Sequence, residues 1–381
     1  MSRYMVACAI ALLSASTAHS QAPQKLSVPA DTTHWSLEGR AEVKAYQGRP
    51  CLFIDGGGAS LNDLEMRDGV IDVDALSTEG RGFFGIQFRI SSDGQNGEWV
   101  YLRPHKSGQP DAIQYTPVLN TGLNWQLYNG SGFTAAVEIP RDTWIHLRLE
   151  VTGAQAKLYV RDMATPALVI DDLKSGIEKG PVALAVLTGP TYFSNFEIRT
   201  TPDTRWERHA PAMRAGVLTD WRLSPSYDAL TRNLEHPLEA SEKDTMSWQE
   251  VKAEPPGLVV INRYRPSPHS RVSYQFDFSK RLDPQQGMRV VYARTNIPST
   301  ENQVKRLDIG YSDDVSVFLN GRILFRGRSS QYYRDPGFLG IMNLDNDVVY
   351  LPLKKGTNEL VLAVSDLGGG WGFSCRLAEM K

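Results

Sequence analysis

The sequence predicts an all-β protein built as two consecutive antiparallel β-sandwich, or jelly-roll, domains. Period-two alternation of apolar and polar residues dominates, and no stretch sustains the i, i+3, i+4, i+7 recurrence that a long amphipathic helix needs. The alternating runs are short and bounded by Gly, Pro, Asp and Asn turn chemistry, a spacing typical of sandwiches and jelly rolls. At 381 residues the chain is long enough to bury two separate cores.

In the first half, Phe84, Ile86, Phe88 and Ile90 alternate with Gly85, Gln87 and Arg89. Val100 and Leu102 alternate with Trp99, Tyr101 and Arg103, and Ile145, Leu147, Leu149 and Val151 with Trp144, His146 and Arg148. Further strands are predicted at 70–75, 156–160, 167–170, 181–187 and 192–199. Between Thr200 and Ala215 the pattern breaks into Pro202, Arg205, Glu207, Arg208 and Pro211, a polar stretch that fits a connection. The expected organisation is therefore a first sandwich over 21–200, a linker over 201–215 and a second sandwich over 216–381. In the second half, alternation resumes at Val272, Tyr274, Phe276 and Phe278, followed by strands over 288–293, 304–309 and 315–319. Asn320-Gly321 then predicts a type I′ hairpin into 322–325, because both residues tolerate positive φ. Strands over 360–364 and 372–377 close the chain, joined through Asp366 and Gly368-Gly369-Gly370.

Arg3, the apolar run from Tyr4 to Leu13 and the small-residue pattern Ala18-His19-Ser20 predict a cleavable export signal over 1–20, with Gln21 as the new start. The run is too short to span a bilayer, and no later stretch approaches about 18 apolar residues, so the expectation is a secreted protein, periplasmic or extracellular, without membrane insertion. Formal charge is −2, with no basic stripe to neutralise a phosphate backbone, so nucleic acid is not an expected partner. Beyond the signal only Cys51 and Cys375 remain. Cys375 shares its parity with Trp371, Phe373 and Leu377, which favours two buried free thiols over a bridge.

Leu64-Glu65-Met66-Arg67-Asp68-Gly69-Val70-Ile71, Gly85-Ile86-Gln87-Phe88-Arg89, Val100-Tyr101-Leu102-Arg103 and Trp144-Ile145-His146-Leu147-Arg148 carry a resemblance across roughly residues 26–199. So do Gly180-Pro181-Val182-Ala183-Leu184 and Phe193-Ser194-Asn195-Phe196. This part resembles the concanavalin A-like lectin/glucanase superfamily, including laminin-G-like modules and the related keto-disaccharide hydrolase domain. From about Gly216 onward, Gly310-Tyr311-Ser312-Asp313-Asp314-Val315 through Asn320-Gly321, with Lys355-Gly356-Thr357-Asn358-Glu359-Leu360, resembles a galactose-binding-like jelly roll. The resemblance implies a carbohydrate ligand.

Strand parity names the candidate contacts. If Phe84, Ile86 and Phe88 face the core, Gln87 and Arg89 stand on the opposite face, as do Trp99, Tyr101 and Arg103 opposite Val100 and Leu102. Flat rings and planar donors side by side suit sugars, whose C–H faces lie on rings and whose hydroxyls need oriented partners. His105, Gln114, Tyr115 and Trp125 extend the same theme along the next loop and strand. The competing reading is that loops or the second domain cover these side chains.

No catalytic residue is assigned. Asp72 and Asp74 alternate with apolar residues in a way similar to the acidic strand of laminarinase-type glucanases, but Val70 replaces the leading glutamate and Asp74 the other. Both then read as solvated strand-face carboxylates. No Gly-x-Ser-x-Gly elbow, His-Glu-x-x-His helix, phosphate loop or dinucleotide fingerprint is present. Asp313, Asp314, Asp335, Asp345, Asn346 and Asp347 are hard oxygen donors that suit a structural calcium ion and equally suit turns; no other cofactor is expected. Tyr332 and Tyr333 form either a rim platform or a seal between domains. The expectation is a protein that binds a glycan on the concave face of the first sandwich, with a keto-disaccharide hydrolase-type enzyme and a non-catalytic scaffold as alternatives.

Overall fold

A computed structural model describes residues 25–78, 80–266 and 288–378. The expected export signal, the start at Gln21 and the alternation at Val272, Tyr274, Phe276 and Phe278 lie outside the described residues. The described chain is nearly all antiparallel strand, with one short α-helix at Ala240–Thr245. No described helix is long and apolar enough to cross a membrane.

Every strand from Lys25–Val28 to Thr191–Thr200 belongs to one 14-stranded sheet that folds over a single core. The fold-over is made by the 18-residue strand Arg49–Met66. Its Leu52, Phe53 and Ile54 pair with Thr191–Thr200, while Gly57 to Ser60 pair with Gly180–Thr188, so one strand passes between the two layers. The turning point is Gly56, at φ +80°, a conformation open to glycine without steric cost.

The predicted parity holds across this core. Ile71 and Val73, Leu147 and Leu149, Phe84, Ile86 and Phe88, Val100 and Leu102, and Val182 and Leu184 all point into one cluster. Each fully buried side chain of this size contributes about 1.5–3 kcal/mol.

The later strands form a seven-stranded and a four-stranded sheet facing each other across a second core, in which Val291, Val317 and Leu362 meet Ile309, Phe373 and Cys375. The hairpin turns at Asn320 (φ +50°) and Gly321 (φ +75°), with Leu319 opposite Arg322, as the dipeptide predicts. Cys51 and Cys375 are both free thiols, buried in different clusters.

Residues 201–214 carry no regular structure, yet they are pinned onto the first sandwich. Thr204 donates through N (2.6 Å) and Oγ1 (2.7 Å) to Asp68. Trp206 lies under the Arg89 guanidinium at 4.8 Å, and Arg208 Nε donates to Asp172 at 2.7 Å.

Asp72 and Asp74 sit on the outer face, in the other layer from the Phe83–Phe88 strand, and are ion-paired rather than simply solvated. His146 lies across the ladder, with Nε2 3.0 Å from Asp72 and Nδ1 2.8 Å from Asp74. Arg148 Nε donates to Asp72 at 2.7 Å, and Arg49 to Asp74 at 3.0 Å. Of the six oxygen donors considered for calcium, Asp314, Asp335 and Asp347 have partners within the chain. Arg328 holds Asp314, Arg334 and Tyr311 hold Asp347, and Asp335 accepts from Gly337 N. Among the described residues no group of three or more His, Cys, Asp or Glu is placed to hold a metal ion.

Candidate functional site

The strands Phe83–Phe88, Gly97–Leu102 and Ile113–Leu119 are neighbours, so their outward faces make one surface. Trp99 and Tyr101 lie on that surface, as parity predicts. They are nonetheless buried, because Gly122–Leu123 and the chain to Tyr128 fold back across the sheet. Trp99 stacks on Tyr101 (ring centroids 4.4 Å apart) inside a small apolar cluster with Val118, Ala185, Phe83, Leu123 and Leu187. Gly85, opposite Tyr101, makes room, since a Cβ there would stand 2.0 Å from Val100 O.

The returning chain is tied down by Gln114, also fully buried. Its Nε2 donates to the carbonyls of Trp125 (2.9 Å) and Tyr128 (2.7 Å). Its Oε1 accepts from Tyr101 Oη (2.9 Å) and from Arg103 Nη2. Arg103 Nη2 also donates to Tyr101 Oη at 2.8 Å and Nη1 to Asp111 O at 2.7 Å. Burial pushes the Tyr101 hydroxyl up to about 12. Tyr101, Arg103 and Gln114 thus form a closed network with neutral phenol and charged guanidinium.

Above this network opens a cleft of about 310 Å³, within the size range of small-molecule sites. Tyr101, Arg103, His105 and Trp125, four of the nine predicted contacts, line it. The other five do not. Gln87 lies on the correct face, half-buried between Trp99 and Ala183, but away from the cleft. Arg89 is wholly buried, because the strand ends at Phe88 and a φ of +49° turns Arg89 inward, onto Asp68 at 3.0 Å. Trp99 and Gln114 lie beneath the cleft as its support. Tyr115 has the opposite parity and enters the core, where its hydroxyl donates to buried Glu98 at 2.7 Å.

Of the far wall, sequence reasoning offers only Tyr332, as a rim platform in one of its two readings, and does not connect the rest to the site. The wall comes from the second sandwich: Asn262, Tyr332, Leu339, Asp366 and the run Gly368-Gly369-Gly370. Tyr332 is 57% exposed and forms a rim, so of its two readings the platform is the one the geometry matches. The sandwiches meet through Gln126, whose Nε2 donates to Leu339 O (3.0 Å) and whose Oε1 accepts from Ser312 Oγ (3.1 Å). Its backbone N donates to Gly369 O at 2.9 Å, and Asn120 Nδ2 donates to Asn262 O at 2.6 Å. No local signal links residues this far apart in sequence.

No family model and no curated protein matches this chain. Its fold is similar to several solved structures. One is the carbohydrate-binding module CBM66 from Bacillus subtilis, at 20% identity over 43% of this chain and 94% of that one, with a TM-score of 0.33. Another is a protein of unknown function with a galectin-like fold from Bacillus subtilis, at 13% identity over 49% and 99%, TM-score 0.35. A third is a laminarinase from Flavobacterium sp. UMI-01, at 10% identity over 45% and 94%, TM-score 0.33.

Around the cleft the electrostatics are lopsided. His105 keeps an exposed edge, but its ring packs on Phe83 at 5.0 Å. Burial of the ring, with Arg81, Arg103 and Lys106 around it, pushes its pKa down to about 4. At neutral pH the imidazole is therefore uncharged, one nitrogen donating and the other accepting. An unfolded histidine titrates near about 6.5, so the folded chain binds this proton less readily. His105 accordingly contributes stability above that pH, and the contribution is lost as pH falls toward about 4. A proton NMR titration of the ring is expected to give a midpoint near about 4; a midpoint near about 6.5 would refute the crowding described here.

Proposed function

We propose that the protein is exported from the cytoplasm and binds a glycan in the cleft between its two sandwiches, the first concanavalin A-like and the second galactose-binding-like. The observation that carries this reading is the pairing of aromatic surface with fixed polar groups in one cleft. Trp125 lines it from the first sandwich and Tyr332 from the second, while Arg103 is held in place by Tyr101, Gln114 and Asp111. Rings accept the C–H faces of a sugar, and pre-oriented donors take its hydroxyls without paying to become ordered.

A glycan panel run on the full chain tests this. Trp125→Ala is expected to weaken binding by about thirtyfold, as loss of a central aromatic contact does. Unchanged binding in that variant removes the platform. Trp99→Ala is not an equivalent test, because Trp99 is a buried support whose loss opens a cavity.

A second reading, glycoside processing, is favoured by two carboxylates on the cleft wall, Asp111 and Asp366. Release of smaller saccharides during incubation with the panel would establish it over binding alone.

A further inference from the structure

The glycan reading leaves the sugar class open, and the apolar lining of the cleft narrows it. The charged groups of the cleft already have partners within the protein. Arg103 donates through Nη1 to Asp111 O and through Nη2 to Tyr101 and Gln114, and Lys106 Nζ lies 3.5 Å from the Asp111 carboxylate. Asp366 Oδ1 accepts from Gly368 N at 3.0 Å, and Arg81 is likewise engaged. None of these groups calls for an ionic ligand.

The aliphatic side chains of the cleft are in a different position. Leu123, Leu187 and Leu339 line it and are only half-buried. Leu123 and Leu187, with Phe83, pack on the buried cluster of Trp99, Tyr101, Val118 and Ala185, so the surface they still expose belongs to one apolar floor. Leu339 joins them from the second sandwich, its backbone O fixed by Gln126 Nε2 at 3.0 Å. A branched aliphatic side chain has neither the flat face of an aromatic ring nor a donor or acceptor for a hydroxyl. A hydroxyl set on such a surface loses water without a replacement partner, whereas a methyl group gains by leaving water. The uncharged polar groups alongside, Thr188, Gln331 and His105, suit the remaining oxygens of a neutral sugar.

We infer that the saccharide bound here is uncharged and carries a methyl group, from a 6-deoxyhexose or from an O-acetyl ester, seated on Leu123, Leu187 and Leu339. This rests on the glycan reading. The two sources share one chemistry, a compact apolar group on an otherwise polar ring.

Titration calorimetry on the full chain tests it with two matched sets: 6-deoxyhexose-containing oligosaccharides with their 6-hydroxy counterparts, and O-acetylated oligosaccharides with the same chains after de-esterification. In at least one set the methyl-bearing member is expected to bind about tenfold or more tightly, the worth of one such group in an apolar pocket. Added salt should leave that preference unchanged. The set that responds shows which methyl is read. Leu187→Ala and Leu339→Ala each remove aliphatic surface, one from each sandwich, so the test stays readable if one variant fails to fold. Either is expected to cut the preference by about threefold or more, and a smaller change in every folded variant would overturn the inference. A preference below about tenfold in both sets would overturn it too and leave the glycan reading intact. Binding of no saccharide would overturn both. Cyclohexanol binding as tightly as the methyl-bearing sugars would also overturn the inference, by reducing the cleft to an apolar hollow.

Discussion

Asp68→Ala is expected to destabilise the first sandwich by about 3–5 kcal/mol, the usual cost of orphaning a buried charge. Asp68 and Arg89 are both buried, with Oδ1 3.0 Å from Nη2. The same carboxylate accepts Gly153 N at 2.9 Å and Thr204 N and Oγ1 at 2.6 and 2.7 Å, so it also fastens the irregular stretch after Thr200. Burial already lowers the Arg89 pKa, and Asp68 is the first of the groups that oppose this. Arg89 Nη1 is buried without a partner, and when the carboxylate is removed Nε and Nη2 keep only the neutral Arg67 carbonyl, at 2.9 and 2.6 Å. Thermal unfolding should show a drop of roughly 10 °C in the affected transition. Asp68→Asn, which keeps an acceptor and loses the charge, should lose less. Replacing both partners with apolar residues should recover part of the deficit, because the remaining charge is gone. A change within about 0.5 kcal/mol for Asp68→Ala, the size of an ordinary surface substitution, would show that Arg89 has no need of this carboxylate.

Gly369→Ala is expected to weaken glycan binding by about thirtyfold or more, through a strain and overpacking cost of about 2–4 kcal/mol. Gly369 has a φ of +94°, and a Cβ there would stand 2.3 Å from Gln126 Oε1 and 3.0 Å from Trp125 Nε1. One methyl group would therefore disturb both the residue that joins the sandwiches and the ring that lines the cleft. Gly321→Ala supplies the control. Gly321 also has positive φ, at +75°, but open space surrounds its missing Cβ, so strain there has no route to the cleft. Calorimetry should separate the two, with Gly321→Ala retaining affinity. If Gly369→Ala binds within about twofold of the parent protein, far less than that cost implies, the second sandwich is not part of the site.

Much of the fold was legible because side chains alternate along a regular strand, although the irregularity at Asn195 (φ +51°) puts both Phe193 and Phe196 of one strand into the same core. That rule placed Phe84, Val100 and Leu147 in one core and Trp99 and Tyr101 on the opposite face. It failed where the strand stopped: Arg89, one residue beyond Phe88, turns inward on a positive φ. Tyr115 is misplaced for a different reason: naming Gln114 and Tyr115 together sets alternation aside, and the strand Ile113–Leu119 obeys it, with Tyr115 in the core and Gln114 on the outer face. The run of glycines and polar residues in Arg49–Met66 hid the longest strand of all, whose bend between layers those glycines permit.

Local composition and alternation by themselves determined the all-β class, the core faces, the Asn320-Gly321 hairpin and the surface on which a ligand would be sought. These depend on backbone sterics and on burial of every second side chain, both properties of neighbours in sequence. Only the tertiary structure decided which of those outward residues reach solvent. The chain from Gly122 to Tyr128 folds over Trp99 and Gln114, and the loops at Asn262, Tyr332 and Gly368 to Gly370 close the cleft from more than a hundred residues away. Exposure is fixed by what packs on top, and that partner is chosen by the whole fold.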